Sequence, residues 1–326
     1  MFLDHFGLRG QPFGVTSDPQ FLYFGPSHQE ALASLFYGIQ TQRGFIALIA
    51  KPGMGKTTLL FHLLEHLRSS ARTAFLFQAH SDSREFLRSL VADLGVNVEQ
   101  DDLRGIHRKL NDLLIQELRA GRRVVIVIDE AQNLDDSVLE TVRMLSNFEV
   151  PGTKLMQILL AGQPQLADKL ASKNMVQLRQ RISILCSLAP FSAPETADYI
   201  GHRLRVAGYR GKPLFTAGAL ALIHSRSEGI PRNVNNLCFH ALTLAFANGQ
   251  KTIDTSTLNE VSEDLAMEML GSSPANQTSA RLQSKPGDAA DLTQITAEQN
   301  GEASEWLEEE GVSGTQVISG RVKLRL

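Results

Sequence analysis

A short glycine-containing loop between an apolar run and a helical pattern constrains this chain most strongly. The apolar run spans residues 45–49, and the loop at 50–57 reads Ala-Lys-Pro-Gly-Met-Gly-Lys-Thr. Strand, loop and helix in this order form the context in which such a loop binds phosphate. Glycines let backbone N–H groups approach phosphate oxygens, and the helix N-terminus adds a positive dipole. The sequence therefore predicts a phosphate-binding loop (P-loop) within an α/β sheet.

The residues of this loop have distinct predicted roles. Lys56 supplies a cation for the outer phosphates of ATP, and the Thr57 hydroxyl is a candidate ligand for Mg²⁺. Ala50 stands where the usual pattern has its first glycine. The alternative interpretation of the loop is a chance glycine-rich turn before a helix. The residues predicted to bind the nucleotide are Lys51, Pro52, Gly53, Met54, Gly55, Lys56, Thr57 and Thr58.

A second apolar run, over 124–128, ends at two carboxylates, Asp129 and Glu130. A continuous run of this length is typical of a strand covered on both faces, as in a parallel sheet. Open α/β sheets bind ligands at the carboxyl ends of their strands. We therefore expect Asp129 to hold Mg²⁺ through water, and Glu130 to orient the attacking water or take its proton. Taken alone, the run is also consistent with a strand that ends in a solvated turn.

Other apolar patterns predict the elements around these two motifs. Strands are expected over 73–77, 154–163 and 184–188, and helices over 59–67, 86–94 and 106–118. From residue 192 onwards only helical patterns occur, over 195–206, 216–225, 231–246 and 255–270.

Four polar side chains near these elements are further candidates for the catalytic site. Gln163 ends a predicted strand and is expected to contact the γ-phosphate or the attacking water. Arg179 and Arg181 precede the last strand, where an arginine can complete the site of a neighbouring subunit; a solvated basic helix end is the alternative. Arg232 lies in the first turn of a predicted helix, where the helix dipole disfavours a positive charge. Its placement there indicates an anionic ligand such as a nucleotide phosphate.

The order of these motifs resembles an AAA+ ATPase, and more narrowly the ExeA type of general secretion pathway protein A. The resemblance covers about residues 1–270 and includes Leu-Ala-Gly-Gln-Pro at 160–164, Gly-Ile-Pro-Arg at 229–232 and the opening motifs Phe6-Gly7-Leu8 and Pro12-Phe13. It implies sensor roles for Gln163 and Arg232, and a homo-oligomer with an arginine finger in trans. Arg181 is the preferred finger and Arg179 the alternative. It also implies that residues around 12–28 contribute to an adenine pocket.

The predicted organisation has three parts. An AAA+ nucleotide-binding domain, a parallel sheet between helices, is expected over 1–191, with its adenine-pocket segment over 1–40. A helical lid follows over 192–270, and a disordered polar tail over 271–326. Within the tail, the alternating run at 317–326 is an alternative candidate for a strand that pairs with a partner's sheet.

Localisation is predicted from what the sequence lacks. It contains no apolar run near the roughly 18 residues that span a bilayer and no signal-peptide pattern. We therefore expect a cytoplasmic protein. A secretion partner is a candidate means of attaching it to the inner membrane.

Three functional hypotheses follow. The first is an ATPase that supports cell-envelope secretion or exopolysaccharide export. The second is a DNA-linked AAA+ ATPase, a regulator of transposition targets or replication; the third is a nucleotide switch that does not hydrolyse ATP. Of the 32 Lys+Arg and 35 Asp+Glu, five and eight lie in 271–326, which leaves 27 of each in 1–270. This balance argues against a net positive electrostatic field that would attract nucleic acid in general. The presence of Lys56, Asp129 and Glu130 argues against the third hypothesis, a switch without hydrolysis.

Overall fold

A computed structural model describes residues 2–77 and 82–271, with side chains through residue 263. The strands are β1 (Phe45–Ile49), β2 (Ala71–Leu76), β3 (Arg123–Ile128), β4 (Glu149–Val150), β5 (Thr153–Lys154), β6 (Met156–Gly162) and β7 (Ile182–Ser187). The helices are α1 (Phe2–Phe6), α2 (Pro26–Gln40), α3 (Lys56–Leu67), α4 (Ser83–Asp93), α5 (Leu103–Arg119), α6 (Asp136–Leu145), α7 (Pro164–Ala171), α8 (Val176–Arg179), α9 (Ala193–Val206), α10 (Ala217–Ser227), α11 (Pro231–Ala247) and α12 (Thr255–Gly271). Beyond Gly271, the predicted tail with its run at 317–326 lies outside the described residues.

Five parallel strands form the central sheet, in the order β2-β3-β6-β1-β7. β3 is buried on both faces: Val124 and Ile126 belong to one apolar cluster, and Val125 and Val127 to the other. Helices α4, α5 and α6 contribute to the first cluster, and α2 and α3 to the second. The run at 124–128 is continuously apolar because neither face meets water. The predicted P-loop NTPase sheet between helices is confirmed.

β6 pairs with both β1 and β3, so that three strands end side by side. Ile49 of β1 lies opposite Gly162 of β6, and Ile128 of β3 lies opposite Leu160. The segments that follow these strands therefore leave the sheet at one edge. This is the edge at which parallel α/β sheets bind ligands.

The helices after residue 192 build a second apolar core. α9, α10, α11 and α12 all contribute buried side chains to it. α9 begins at a capping box, in which Ser192 and Glu195 satisfy each other's backbone N–H groups. Within residues 2–77 and 82–271, no helix is long and apolar enough to cross a membrane.

The start of the chain packs into this same second core. Phe6 and Phe13 are buried within it, and the Arg9 N–H donates to the Ala207 carbonyl at 2.8 Å. The predicted boundary had instead placed these residues in the nucleotide-binding domain over 1–191. A few isolated apolar residues have no periodicity that would identify the core they join.

The strand predicted over 154–163 starts later than expected. β6 begins at Met156, whereas Lys154 pairs with Glu149 in the antiparallel hairpin of β4 and β5. Gly152, at φ 78°, provides the tight turn between these two short strands. The first predicted residues therefore belong to a hairpin outside the main sheet.

The strands predicted over 184–188 and 73–77 each begin two residues too late. Ile182 already pairs with Phe45, and Ala71 already pairs with the first residue of β3. The polar residues Ser183 and Arg72 interrupt the apolar pattern directly after these starts, although Ile182 and Ala71 are themselves paired. Strand limits therefore follow backbone pairing more closely than hydrophobicity.

A close backbone contact joins the segment that enters the lid to the loop before α11. The Phe191 N–H donates to the Gly229 carbonyl at 2.9 Å. Gly229 has φ 67°, and a Cβ built there would lie 2.0 Å from the Phe191 carbonyl oxygen. Only glycine fits this position, because both the backbone angle and the contact exclude a side chain.

Replacing Gly229 with alanine is expected to lower the free energy of unfolding by about 3 kcal/mol or more, because strained φ and a backbone clash coincide. Gly249→Ala is the matched control, since Gly249 has φ 66° but no atom within 4 Å of a Cβ built there. The control should lose only about 1–2 kcal/mol. Chemical denaturation measures both variants. Equal losses would contradict the importance of the Phe191 contact.

Candidate functional site

The P-loop passes twice through left-handed backbone. Gly53 has φ 79° and Gly55 has φ 85°, angles that other residues rarely adopt. α3 begins immediately afterwards at Lys56, so its first N–H groups lie at the end of the loop. A turn of this kind that leads into a helix N-terminus forms a concave site for an anion.

The first turn of lid helix α11 contacts this loop directly. The Arg232 N–H donates to the Gly53 carbonyl at 3.1 Å. A Cβ on Gly53 would lie 2.6 Å from the Arg232 Cβ. Gly53 therefore serves both the loop's conformation and the approach of the lid, which brings the predicted sensor Arg232 to the P-loop.

Thr57 and Asp129 lie together below the loop. The Thr57 hydroxyl donates to Asp129 Oδ2 at 2.7 Å, and the Glu130 N–H donates to Asp129 Oδ1 at 2.9 Å. Asp129 is buried. A hydroxyl and a carboxylate at this separation are hard oxygen donors of the type that Mg²⁺ prefers. The donor set therefore fits the metal predicted from the sequence.

Glu130 is held by three polar side chains. Gln132 and Gln163 donate from their amide nitrogens to the same oxygen, Oε2, at 2.6 and 2.9 Å. The other oxygen, Oε1, lies 3.7 Å from the Lys56 ammonium. Glu130 itself has φ 51° and ψ 37°, a left-handed conformation that is uncommon for a residue with a side chain. The neighbours therefore fix the carboxylate in one orientation.

Electrostatics keep this carboxylate charged. Burial acts to raise the pKa of Glu130, but the hydrogen bonds from Gln132 and Gln163 and the charge of Lys56 outweigh it. The pKa therefore lies below its ordinary value. An ionised carboxylate beside a phosphate-binding loop can accept a proton from water.

Residues of the P-loop, of the strand ends and of the lid together line a cavity of about 160 Å³. The predicted residues among its lining are Pro52, Gly53, Gly55, Lys56, Thr57, Thr58, Glu130, Gln163 and Arg232. Five other predicted residues do not line it: Arg179 and Arg181, which are described below, and Lys51, Met54 and Asp129. Lys51 is exposed, the Met54 side chain is buried in the core, and Asp129 lies beneath Thr57.

The remaining walls come from residues whose roles the sequence did not reveal individually. Residues 14–17 form one wall, within the segment expected near the adenine, and Tyr199, Arg203, Asn235 and Asn236 form the lid side.

Arg203 connects these two walls. Its Nη1 donates to the Tyr199 hydroxyl at 3.0 Å, its Nε donates to the Pro12 carbonyl, and its guanidinium lies 4.7 Å from the centre of the Phe21 ring. The Tyr199 hydroxyl in turn donates to Asn235 at 2.9 Å. The sequence did contain a signal, because Arg203 falls on the buried stripe of α9 between apolar residues.

His28 supports the P-loop from below. Its Nε2 donates to the Met54 carbonyl at 3.0 Å, and the side chain is buried. Burial lowers the pKa of His28, although the bond to Met54 and the charge of Glu195 act in the opposite direction. Burial therefore favours the neutral imidazole, which donates a hydrogen bond to the loop.

The two candidate arginine fingers lie away from the cavity lining. Arg181 donates to Asn147 Oδ1 at 3.0 Å and to the Ser146 hydroxyl. Arg179 is exposed and donates to the Ala171 carbonyl at 3.3 Å. Neither side chain therefore completes the site of its own subunit.

Comparison with known proteins identifies relatives of most of this chain. A family model described as an AAA domain matches residues 39–170. General secretion pathway protein A of Aeromonas hydrophila is 38% identical over 254 residues, which are 78% of this chain and 46% of that protein. An uncharacterized HTH-type transcriptional regulator of Methanocaldococcus jannaschii is 28% identical over 204 residues, 58% of this chain and 48% of that protein. The chain thus spans about half the length of these curated relatives.

The solved structures include similar folds. The crystal structure of Cdc6p from Pyrobaculum aerophilum matches with a TM-score of 0.60 and 16% identity, over 81% of this chain and 74% of that chain. At this level of identity the likeness establishes the fold alone.

Proposed function

The chain belongs to the AAA+ proteins of the general secretion pathway protein A type, and from that membership we propose that it binds ATP with Mg²⁺ and hydrolyses it to ADP and phosphate. One observation carries the proposal: Lys56, Glu130, Gln163 and Arg232 come from four different segments of the chain and line one cavity. A binding loop alone would explain Lys56. The addition of an ionised glutamate and two sensor candidates supports hydrolysis.

Binding would use the P-loop and its helix. The N–H groups around Gly53 and Gly55 and the ammonium of Lys56 would contact the phosphates. Thr57 and Asp129 would hold Mg²⁺, directly or through water, and the ion would neutralise charge on the phosphate oxygens. Residues 14–17 and the Arg203 network would enclose the rest of the nucleotide.

Hydrolysis would depend on the placement of Glu130. Its carboxylate would orient a water molecule for attack on the γ-phosphate and take the proton that the water loses. Gln163, which already bonds Glu130, and Arg232, which already contacts the P-loop, lie where they would meet the transferring phosphoryl group. Their contacts would stabilise charge that develops during transfer.

Glu130→Gln is expected to lower the ATP hydrolysis rate by roughly 100-fold or more, because the amide cannot take the proton, while ATP affinity changes little. Lys56→Ala should instead weaken ATP binding. A phosphate-release assay and a titration with labelled ATP separate the two effects. An unchanged rate in Glu130→Gln would show that another group is the base, and an inactive wild-type protein would argue against hydrolysis altogether.

We further propose that the active form is a homo-oligomer in which Arg181 enters the neighbouring subunit's site. Arg181 and Arg179 lie just before β7, outside their own subunit's cavity lining. An arginine supplied in trans stabilises charge on the transferring phosphoryl group. Arg181 remains the preferred finger and Arg179 the alternative.

Arg181→Ala is expected to lower the hydrolysis rate by about 10³-fold or more while ATP binding is retained. In the wild type, the rate per subunit should rise with protein concentration. Arg179→Ala tests the alternative, and Arg108→Ala, a change at another exposed arginine, is the control. A rate per subunit that stays constant over a wide dilution series, with monomers in solution, would contradict the finger in trans.

The biological role we propose is support of a cell-envelope secretion or export system, from the cytoplasm and through a membrane-associated partner. The support is the similarity to general secretion pathway protein A, of which this chain spans 46%. A DNA-linked role is the second candidate, because the other curated relative is named as an HTH-type regulator.

Duplex DNA should leave the ATPase rate unchanged if the secretion role is right. The measurement compares rates with and without DNA at low and moderate salt, with a polyanion such as heparin as the control for non-specific binding. Strong stimulation by DNA that declines as salt rises would favour the DNA-linked role, because phosphate contacts weaken with salt.

A further inference from the structure

Gln132 is one of the side chains that hold the candidate catalytic glutamate, and its own position is fixed in turn. It lies in a short 3₁₀ turn, Ala131–Asn133, directly after Glu130. Its amide nitrogen donates to Glu130 Oε2 at 2.6 Å, and its amide oxygen accepts from the Gln163 backbone N–H at 3.1 Å. One amide therefore connects the turn after β3 to the end of β6.

The position of this amide is fixed by close packing. A Cβ built on Gly162 would lie 2.8 Å from Gln132 Oε1 and 2.7 Å from a methyl carbon of Leu166. The absence of a side chain at Gly162 thus leaves the space that the amide oxygen occupies. Lys169 donates to the Leu134 carbonyl at the end of the same turn, so α7 also holds the turn in place.

The two oxygens of Glu130 consequently have different surroundings. Oε2 accepts from the Gln132 and Gln163 side chains. Among the described residues, Oε1 lies 3.7 Å from the Lys56 ammonium and accepts neither of these amide hydrogen bonds. A carboxylate held through one oxygen presents the other in a defined direction.

We propose that Gln132 is a positioning residue, which holds Glu130 through Oε2 so that Oε1 is the atom presented to the attacking water. It acts through Glu130, and it couples Glu130 to the strand end that carries Gln163. The inference rests on the proposed hydrolysis and deepens it. Misplacement of a reacting group by about 1 Å can cost 100-fold in rate.

The test uses Gln132→Met, which keeps a side chain of similar length without the amide, and Gln132→Ala. The kcat for ATP should fall by roughly 10- to 100-fold in both, with KM changed by no more than about threefold, because the amide acts on the water-activating group and not on nucleotide binding. Asn133→Ala, an exposed neighbour in the same turn, is the control and should retain wild-type rates. Unchanged kcat in both Gln132 variants would overturn the proposal.

A double substitution separates positioning from a general structural effect. If Gln132 acts only through Glu130, adding Gln132→Met to Glu130→Gln should cause no further loss in a single-turnover assay. Losses that multiply, or a melting temperature that falls in step with kcat, would show a structural role and refute the inference. These outcomes differ from failure of the proposed function, in which the wild type is inactive or Glu130→Gln has no effect.

Discussion

The placement of β6 between β1 and β3 is the constraint on which the site depends. Because both pairings are parallel and in register, the P-loop, the Asp129-Glu130 pair and Gln163 leave the sheet at one edge. β6 follows β3 in the sequence but separates it from β1 in space. This position brings Gln163 beside Glu130 on one side and beside the P-loop on the other. In a sheet built in sequence order, β2 would lie next to β1, and the P-loop would be separated from Gln163.

The lid depends on two positions where the backbone must come close. Gly53 admits the first turn of α11, and Gly229 admits the Phe191 carbonyl. The Gly229 contact is with a backbone carbonyl, and at Gly53 the Arg232 N–H donates to the backbone carbonyl, so neither approach depends on flexible side chains alone. The distance between Arg232 and the P-loop is thereby set by packing, and the polar side chains in the cavity meet in a preformed arrangement.

The sequence predicted the site best where chemistry demands particular residues in a fixed local context. The P-loop and the carboxylates after β3 are local motifs, so their positions follow from short stretches of chain. Gln132 and Arg203 could not be assigned in this way, because their importance arises from tertiary contacts with Gln163 and Pro12. The hairpin before β6 was missed for a related reason: its two strands have two residues each, too few to show a pattern, and Lys154 of the second adjoins the apolar run of β6.

The packing of Phe6 and Phe13 with the lid has a mechanical consequence. The lid core contains residues from both sides of the sheet in the sequence, Phe6 and Phe13 before it and Phe191 after it, whereas Leu22 and Leu188 belong to the sheet core. A movement of the lid would therefore have to carry Phe6 and Phe13, from the start of the chain, together with the helices that follow the sheet.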